Sequence, residues 1–225
     1  MKTLFLLGAR GGIGSAIKQK FEREGYKVTA PGSAELNLQD PANIDAYFKE
    51  NPAKFDVFIH CAGYNSPLEA ENQTEQEVLK TFNINCLSLL IAAKHLMPYF
   101  KEVKEGHILA VSSIYGIVSR KKRSAYAMSK HALTGLVQTL ALEMGEYNIK
   151  VNALCPGFVE TSLTYKNNSK EVIEGFIEKI PLGRLAKPQE IAETAYFLCS
   201  PQNTYIHGQN IIADGGILAG GFESK

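Results

Sequence analysis

The stretch Gly8-Ala9-Arg10-Gly11-Gly12-Ile13-Gly14 decides the predicted fold, because of what lies on either side of it. The apolar run of residues 3–7 precedes it and has the composition of a short β-strand, and a helical pattern follows it as far as Gly25. In such a strand–turn–helix unit, glycines let the backbone approach a pyrophosphate, and the helix supplies free N–H groups. The stretch therefore predicts a dinucleotide site on an α/β fold. A tight turn without a ligand is the alternative interpretation.

A second stretch, Tyr126-Ala127-Met128-Ser129-Lys130, carries the predicted chemistry. A tyrosine and a lysine four residues apart lie on the same face of a helix. A neighbouring ammonium group stabilises a phenolate, so we expect the pKa of Tyr126 to fall from about 10 towards neutral pH. Such a tyrosine can exchange a proton with an oxygen atom of a substrate. The same spacing also occurs by chance on solvated helices, so the interpretation depends on agreement with other segments.

Composition and charge argue against several classes of function. The chain has 225 residues and a formal net charge of +1, so no global field attracts nucleic acid or an anionic membrane surface. No apolar run reaches the ~18 residues of a membrane span, and the N-terminus does not resemble a signal peptide. The four cysteines form no CxxC pair and the five histidines do not cluster, which argues against a metal site and a disulfide framework. We expect a cytoplasmic globular enzyme.

The end of the second predicted strand, Tyr26–Ala30, bears on the choice of cofactor. An NAD-binding unit normally has an acidic residue here, which bonds the adenosine ribose. This chain has Pro31-Gly32-Ser33 instead, so no carboxylate repels a 2′-phosphate, and Arg10 lies in the glycine turn facing that region. We therefore expect NADP in preference to NAD. If Arg10 is only a solvated loop residue, Ser33 or the backbone would recognise the ribose of NAD.

The remaining pattern predicts five further strands and several helices. The strands are predicted at residues 35–38, 55–59, 106–113, 150–155 and 208–216. Helices are predicted at residues 41–50, 74–100 and 125–143, and a last one opens at residues 188–192. Few residues separate the second strand from residues 35–38, so the helix that usually joins such strands is missing. Residues 162–180, called the lid below, predict a polar, mobile segment with a short helix that selects the substrate.

These segments together resemble the short-chain dehydrogenase/reductase family, in the style of its 3-oxoacyl-carrier-protein reductases and carbonyl reductases. The resemblance runs from Thr3 to about Gly216 and includes the Gly-x-x-x-Gly-x-Gly spacing of the glycine turn. It also rests on Asn85, Ser113, Tyr126 with Lys130, the turn Pro156–Thr161, and Asp214-Gly215-Gly216. The resemblance implies one α/β domain over residues 1–225, of the Rossmann type, doubly wound, with a mainly parallel sheet of about seven strands.

The resemblance also implies an activity: NAD(P)(H)-dependent interconversion of a carbonyl and an alcohol. Tyr126 would protonate the developing alkoxide, and Ser113 would hydrogen-bond the same oxygen. Lys130 would lower the tyrosine pKa and bind the nicotinamide ribose. Asn85, preferred over the nearby Asn83, would hold a water that joins Lys130 to solvent.

Further cofactor contacts follow from the same resemblance. Asn37 and Leu38 would lie against the adenine. Ala62 and Gly63 would let the backbone pass close to the ribose, although His60 and Cys61 replace two asparagines that brace the sheet in the family. The nicotinamide would be held by the last predicted turn, through Pro156, Gly157, Val159 and Thr161.

Some alternatives stay open at this point. Residues 120–123, the basic run Arg120-Lys121-Lys122-Arg123, form either a solvated loop or a contact for an acidic carrier or a phosphorylated substrate. The substrate is expected to be a small carbonyl or alcohol compound, which could be bound to a carrier. By resemblance, a homodimer or homotetramer would pair two long helices, and the apolar content of residues 82–97 and 132–142 fits either this pairing or burial in the core. The rival functions are a regulatory protein that binds a dinucleotide without chemistry, and an epimerase or dehydratase of the broader superfamily.

Overall fold

The computed structural model describes residues 1–52 and 54–220. At its centre lies one sheet of six strands in the order β2-β1-β3-β4-β5-β6, with every neighbouring pair parallel. The strands are β1 Thr3–Leu7, β2 Lys27–Thr29, β3 Val57–His60, β4 Gly106–Val111, β5 Ile149–Pro156 and β6 Asn210–Ala213. The helices are α1 Gly12–Arg23, α2 Pro41–Glu50, α3 Glu75–Phe82, α4 Ser88–Val103, α5 Ser124–Met144, α6 Ser162–Asn167, α7 Lys170–Ile177 and α8 Pro188–Leu198.

Helices cover both faces of the sheet, which explains why its strands are continuous apolar runs. Along β1 the side chains alternate: Phe5 and Leu7 join the core under α2, α4 and α5. Leu4 and Leu6 point to the opposite face and join the core under α1 and α8. The predicted doubly wound α/β fold is therefore confirmed.

The sheet has six strands, and the predicted seventh, at residues 35–38, is absent from the described chain. These residues form turns, although Leu36 is buried against the same core as Phe5. A parallel strand needs a crossover of a dozen or more residues, and only residues 30–34 separate this segment from β2. The alternation of Leu36 and Leu38 therefore reflects packing against the sheet, not membership of it.

The long helix predicted for residues 74–100 is interrupted. A π-helical turn, Asn83–Leu87, separates α3 from α4. Single π-helical turns inside α-helices are frequent at functional sites, and this one contains Asn85. By contrast, α2 begins and ends where predicted, with the Asp40 side chain accepting a hydrogen bond from the N–H of Ala42, 3.0 Å away.

The lid has more helix and more apolar packing than predicted. It contains two helices, α6 and α7, instead of one. The buried side chains of α7 are Ile173 and Phe176, and the ring of Phe176 stacks on Phe158 with centroids 3.9 Å apart. The apolar spacing of Ile173, Phe176 and Ile180 was available in the sequence and would have indicated this packed helix.

Candidate active site

A cleft of about 410 Å³, called the large cleft below, opens at the carboxyl edge of the sheet, where the strand order reverses between β1 and β3. Ligands bind at such switch points in open α/β sheets. The predicted cofactor residues that line it are Gly8, Arg10, Gly12, Ile13, Gly14, Ser33, Asn37, Leu38, Cys61, Ala62, Gly63, Tyr126, Lys130 and Thr161. Ile84 and Val111 also line the large cleft, and no sequence signal distinguishes them from core residues.

The glycine turn leaves an anion site at the start of α1. Gly8 has φ of +89°, and a Cβ atom on it would lie 2.5 Å from the backbone nitrogen of Ala62, so the turn itself requires glycine there. Gly11 and Gly63 have no atom within 3.6 Å of such a Cβ position, which keeps the wall of the large cleft open. No side chain caps α1, and its first turn carries no acidic residue. The free N–H groups and open wall therefore fit the pyrophosphate of a dinucleotide.

Arg10 places a positive charge within the same glycine turn. Its guanidinium group occupies the space that a Cβ atom on Gly32 would need, so it lies directly against the chain that leaves β2. Pro31, Gly32 and Ser33 bring no carboxylate to this place, and Arg10 takes part in none of the ion pairs found within residues 1–52 and 54–220. The guanidinium group of Arg10 thus lies where an NAD-binding unit normally has a carboxylate.

Tyr126 and Lys130 share one face of α5, as predicted, but their pKa shifts differ from the prediction. The Lys130 Nζ lies 5.7 Å from the centre of the Tyr126 ring and donates a 2.8 Å hydrogen bond to the carbonyl of Val111. Burial raises the pKa of Tyr126 to about 12, although a hydrogen bond with Ser113 acts in the opposite direction. Burial likewise lowers the pKa of Lys130 to about 8. The expected fall in the tyrosine pKa is therefore wrong for this structure, because desolvation outweighs the nearby charges.

Ser113 and Ser112 follow β4 and use their hydroxyls differently. The Ser113 Oγ accepts a 3.1 Å hydrogen bond from the N–H of Tyr115, and its contact with Tyr126 contributes to the tyrosine pKa. The Ser112 hydroxyl donates to the carbonyl of Lys130, 3.3 Å away, and so is taken up by the backbone of α5. Of the two serines, Ser113 is the one beside the Tyr126 phenol.

Asn85 is fully buried and connects three segments. Its Oδ1 accepts a 2.7 Å hydrogen bond from the N–H of Tyr64, and its Nδ2 donates to the carbonyl of Tyr64 and to the Ser129 hydroxyl, both at 2.9 Å. Ser129 precedes Lys130, so Asn85 fixes the loop after β3 against α5. Both amide hydrogens are used by protein partners, and the water that the resemblance places at Asn85 stays a prediction. The rival Asn83 instead donates to the carbonyl of Gln39 near the surface.

His60 replaces one of the family's bracing asparagines and provides a brace of its own. Its Nε2 lies 2.7 Å from the Ser88 hydroxyl, which donates its only hydrogen to the carbonyl of Ile84 at 2.9 Å. The Nε2 must therefore carry the hydrogen in the His60–Ser88 bond. The ring is completely buried, and burial followed by the charge of Lys130 lowers its pKa to about 3. A neutral imidazole thus ties β3 to α4.

A smaller cavity of about 130 Å³, called the small cavity below, shares Tyr126 and Thr161 with the large cleft. Ser113 lines only the small cavity. The predicted nicotinamide contacts Pro156, Gly157 and Val159 also lie on its wall and do not line the large cleft. Tyr126 therefore stands where the two spaces meet.

Arg120 and Arg123 of the basic run line the small cavity. The sequence alone left open whether this run is a solvated loop or contacts a carrier or substrate. Arg123 is 6% exposed, and Arg120 packs its guanidinium group 4.6 Å from the centre of the Phe176 ring. Lys121 and Lys122 are exposed, as a solvated loop would have them. Four cations in a row carry no signal that tells the buried arginine from its neighbours.

Other kinds of site were also sought in the described part of the chain. There, no three histidine, cysteine or acidic side chains converge in a way that could hold a metal ion. All four cysteines are free thiols. Within the same residues, no helix combines the length and apolar character required to cross a membrane.

Known proteins resemble this chain along nearly its whole length. A family model described as enoyl-(acyl carrier protein) reductase matches residues 30–218. The 3-oxoacyl-(acyl-carrier-protein) reductase of Thermotoga maritima is 32% identical over 96% of this chain and 98% of its own length. The 2,3-dihydro-2,3-dihydroxybenzoate dehydrogenase of Bacillus subtilis is 30% identical over 97% of each chain.

A solved structure gives the same result for the fold. The 4-hydroxyisoleucine dehydrogenase complexed with NADH superposes with a TM-score of 0.92, at 26% identity, and the match covers 98% of this chain and all of the other. The matches in sequence and in structure thus agree with what the glycine turn before α1 and the Tyr126–Lys130 pair on α5 indicate. The chain belongs to the short-chain dehydrogenase/reductase family of oxidoreductases.

Proposed function

We propose that the protein interconverts a carbonyl and an alcohol with Tyr126 as the acid and base. The observation that supports this most is the position of Tyr126 between the large cleft and the small cavity, with Ser113 beside it. A bound nicotinamide cofactor supplies the hydride in reduction or accepts it in oxidation. The cofactor would occupy the large cleft, with its nicotinamide reaching Pro156, Gly157, Val159 and Thr161 where the two spaces meet, and the substrate carbonyl would enter the small cavity beside Ser113.

The residues around the reacting oxygen divide the work. With its pKa raised to about 12, Tyr126 carries its proton at neutral pH and can donate it to a carbonyl oxygen during reduction. Ser113 would hydrogen-bond the same oxygen, and Lys130 would hold the nicotinamide ribose. Asn85 would hold a water that joins Lys130 to solvent, and its hydrogen bond to Ser129 ties the loop after β3 to α5 beside Lys130.

For the cofactor we propose NADP in preference to NAD. The support is Arg10, which lies against Gly32 without an acidic partner in the described residues. NAD is the alternative, with Ser33 or the backbone at the ribose, and the 4-hydroxyisoleucine dehydrogenase structure contains NADH.

The alternative function is a regulatory protein that binds a dinucleotide without chemistry. The large cleft alone would serve such a protein. A regulatory protein would not need the small cavity with Ser113 and Tyr126 on its wall, so this cavity favours an enzyme. An epimerase or dehydratase would need a larger substrate region.

The wider setting follows from the same resemblance. We propose a cytoplasmic protein, folded as a single domain with the lid over the small cavity, and assembled as a homodimer or homotetramer through α4 and α5. Leu142 on α5 is 87% exposed and would be covered there. Sedimentation equilibrium tests the assembly, which a monomer at micromolar concentration would contradict. The substrate would be a small carbonyl or alcohol compound, free or bound to a carrier.

The test of the function is a titration with NADPH and NADH separately, followed by nicotinamide fluorescence, and then cofactor oxidation against a panel of ketones and aldehydes. We expect tighter binding of NADPH and turnover of at least one carbonyl compound. Cofactor binding without turnover on any substrate, in either direction, would favour the regulatory alternative. Binding of neither cofactor would contradict both.

A further inference from the structure

Arg123 is a buried cation without an anionic partner. It is 6% exposed, its Nε has no hydrogen-bond partner, and its Nη1 makes one long bond of 3.4 Å to the carbonyl of Lys122. None of the ion pairs within residues 1–52 and 54–220 involves Arg120 or Arg123. The carboxylate of Glu69, on the adjacent segment, pairs with Lys122 instead, at 3.4 Å.

Such a group is costly to the fold. An arginine keeps its proton inside a protein, so a guanidinium group removed from water without an anionic partner is unfavourable to the folded state. Burial is the main cause that lowers the pKa of Arg123, and the positive charge of Arg120 also lowers it. Packing alone does not explain why a guanidinium group, and not an apolar side chain, stands here.

The surrounding backbone holds Arg123 in place. Residue 123 forms an isolated parallel bridge with Leu68, and the neighbouring Lys122–Glu69 pair joins the same two segments. It is also the residue immediately before α5, three positions ahead of Tyr126. The backbone of residue 123 is therefore held in place three positions before Tyr126.

Both arginines face the small cavity, together with Tyr126 and Ser113. Arg120 is exposed on the loop and reaches the cavity while resting on the Phe176 ring of α7. Guanidinium groups on the wall of one cavity suit a carboxylate or a phosphate, to which each can donate charge-assisted hydrogen bonds. At about 130 Å³, the cavity is small beside the ~300–1,000 Å³ of usual ligand sites. Its size favours a compact carboxylate.

We propose that the substrate is a small oxo or hydroxy acid whose carboxylate binds Arg123, with Arg120 as the second donor. The inference rests on the proposed function and names its substrate class. Reduction then converts an oxo acid, a reduced cofactor and a proton into the hydroxy acid and the oxidised cofactor. Arg123 holds the carboxylate while Tyr126 gives its proton to the carbonyl oxygen. A substrate carried by an acyl carrier protein would have no free carboxylate to place on this buried arginine.

The test compares oxo acids with their methyl esters, which keep the carbonyl and lose the charge. The pairs are pyruvate, acetoacetate and 4-oxopentanoate, each with its ester, assayed with the cofactor that the protein binds. The enzymes are wild type, Arg123→Gln and, as a control, Lys121→Gln, which removes an exposed cation of the same run outside the small cavity. For each enzyme, the quantity of interest is the ratio of kcat/KM for the acid to kcat/KM for its ester. This ratio is insensitive to a general loss of folding or of tyrosine acidity.

We expect wild type to prefer the acid in at least one pair by ~10- to 100-fold, the usual range for hydrogen bonds to a charged group. Arg123→Gln should bring that ratio close to one, and Lys121→Gln should leave it unchanged. Equal or better use of every ester by wild type, or a preference that survives Arg123→Gln, would overturn the proposal. So would a preference for hydroxyacetone phosphate or an acetoacetyl thioester of pantetheine over the free acids.

The inference and the function on which it rests fail in different ways. If cofactor binds and neutral ketones are turned over but no acid is bound or reduced, the carboxylate proposal is wrong and the oxidoreductase proposal stands. If no cofactor binds, the oxidoreductase proposal is itself wrong.

Discussion

Burial decides the protonation of the residues around Lys130. It raises the pKa of Tyr126 to about 12 and lowers those of Lys130 and His60 to about 8 and about 3. The sequence places Tyr126 and Lys130 on one helix face, but it does not report how much water the fold removes from them. The direction of the tyrosine shift therefore required the structure.

His60 gives a pH dependence whose sign can be worked out. The folded imidazole stays neutral down to about pH 3, whereas in the unfolded chain it gains a proton below its ordinary pKa of about 6.5. Between these values the unfolded state binds more protons, so stability falls as the pH is lowered, by up to ~1.4 kcal/mol per pH unit from this residue. His107, with its pKa lowered to about 4, adds to the same trend.

We therefore expect His60→Asn to flatten the dependence of unfolding free energy on pH between about 4 and 6. Urea unfolding of wild type and variant at several pH values measures this dependence. The reference is pH 7.5, at which His60 is neutral in both the folded and the unfolded wild-type chain. Parallel pH profiles for wild type and variant would show that His60 is not the residue responsible.

Arg10 gives a prediction about affinity. Arg10→Ala removes the guanidinium group beside Gly32, and we expect it to weaken NADPH by ~10- to 100-fold while NADH changes little, because only NADPH carries the 2′-phosphate. Fluorescence titrations of both cofactors measure this, and Lys121→Ala, which changes the net charge equally, serves as the control. Equal losses for NADPH and NADH would contradict a 2′-phosphate contact.

At the scale of the elements, the π-helical turn Asn83–Leu87 joins the site to the fold. It interrupts a helix that the sequence predicts as continuous, and it puts the Asn85 amide against Tyr64 and Ser129. An asparagine in an apolar helix indicates that its amide has a partner, but not which groups that amide binds. Those lie 21 residues before it and 44 residues after it, so only the folded chain brings them together.

Asn85→Ala should lower the free energy of unfolding by ~2–4 kcal/mol, because it leaves buried polar groups of Tyr64 and Ser129 without their partner. The matched control is Asn83→Ala in the same turn, which loses one hydrogen bond near the surface, to Gln39, and should cost ~1 kcal/mol or less. Urea unfolding of both variants measures the difference. Equal costs would contradict a bracing role for Asn85.

At the scale of the whole molecule, local sequence patterns predicted the central strands and helices better than the strands that the sheet includes or the direction of its loops. The glycine turn, α2 and the central strands follow from short-range spacing, and the structure has them close to the predicted residues. The strand predicted at residues 35–38 is absent among the described residues, because membership of a sheet depends on a crossover that these few residues cannot make. Burial of Arg123 beside exposed Lys121 and Lys122 depends on which way a loop turns towards the lid, and a run of four cations does not encode that.

The central claim is that Tyr126 exchanges the proton with the substrate, and Tyr126→Phe tests it most directly. The change removes one oxygen from a ring that packs edge-to-face against Tyr115 at the wall of the small cavity, so the fold should persist. Measured on the carbonyl compound that wild type reduces fastest, kcat should fall ~100- to 10,000-fold, while the Kd for cofactor, from fluorescence titration, stays within about threefold. Turnover that persists in Tyr126→Phe, with cofactor binding weakened instead, would contradict the account.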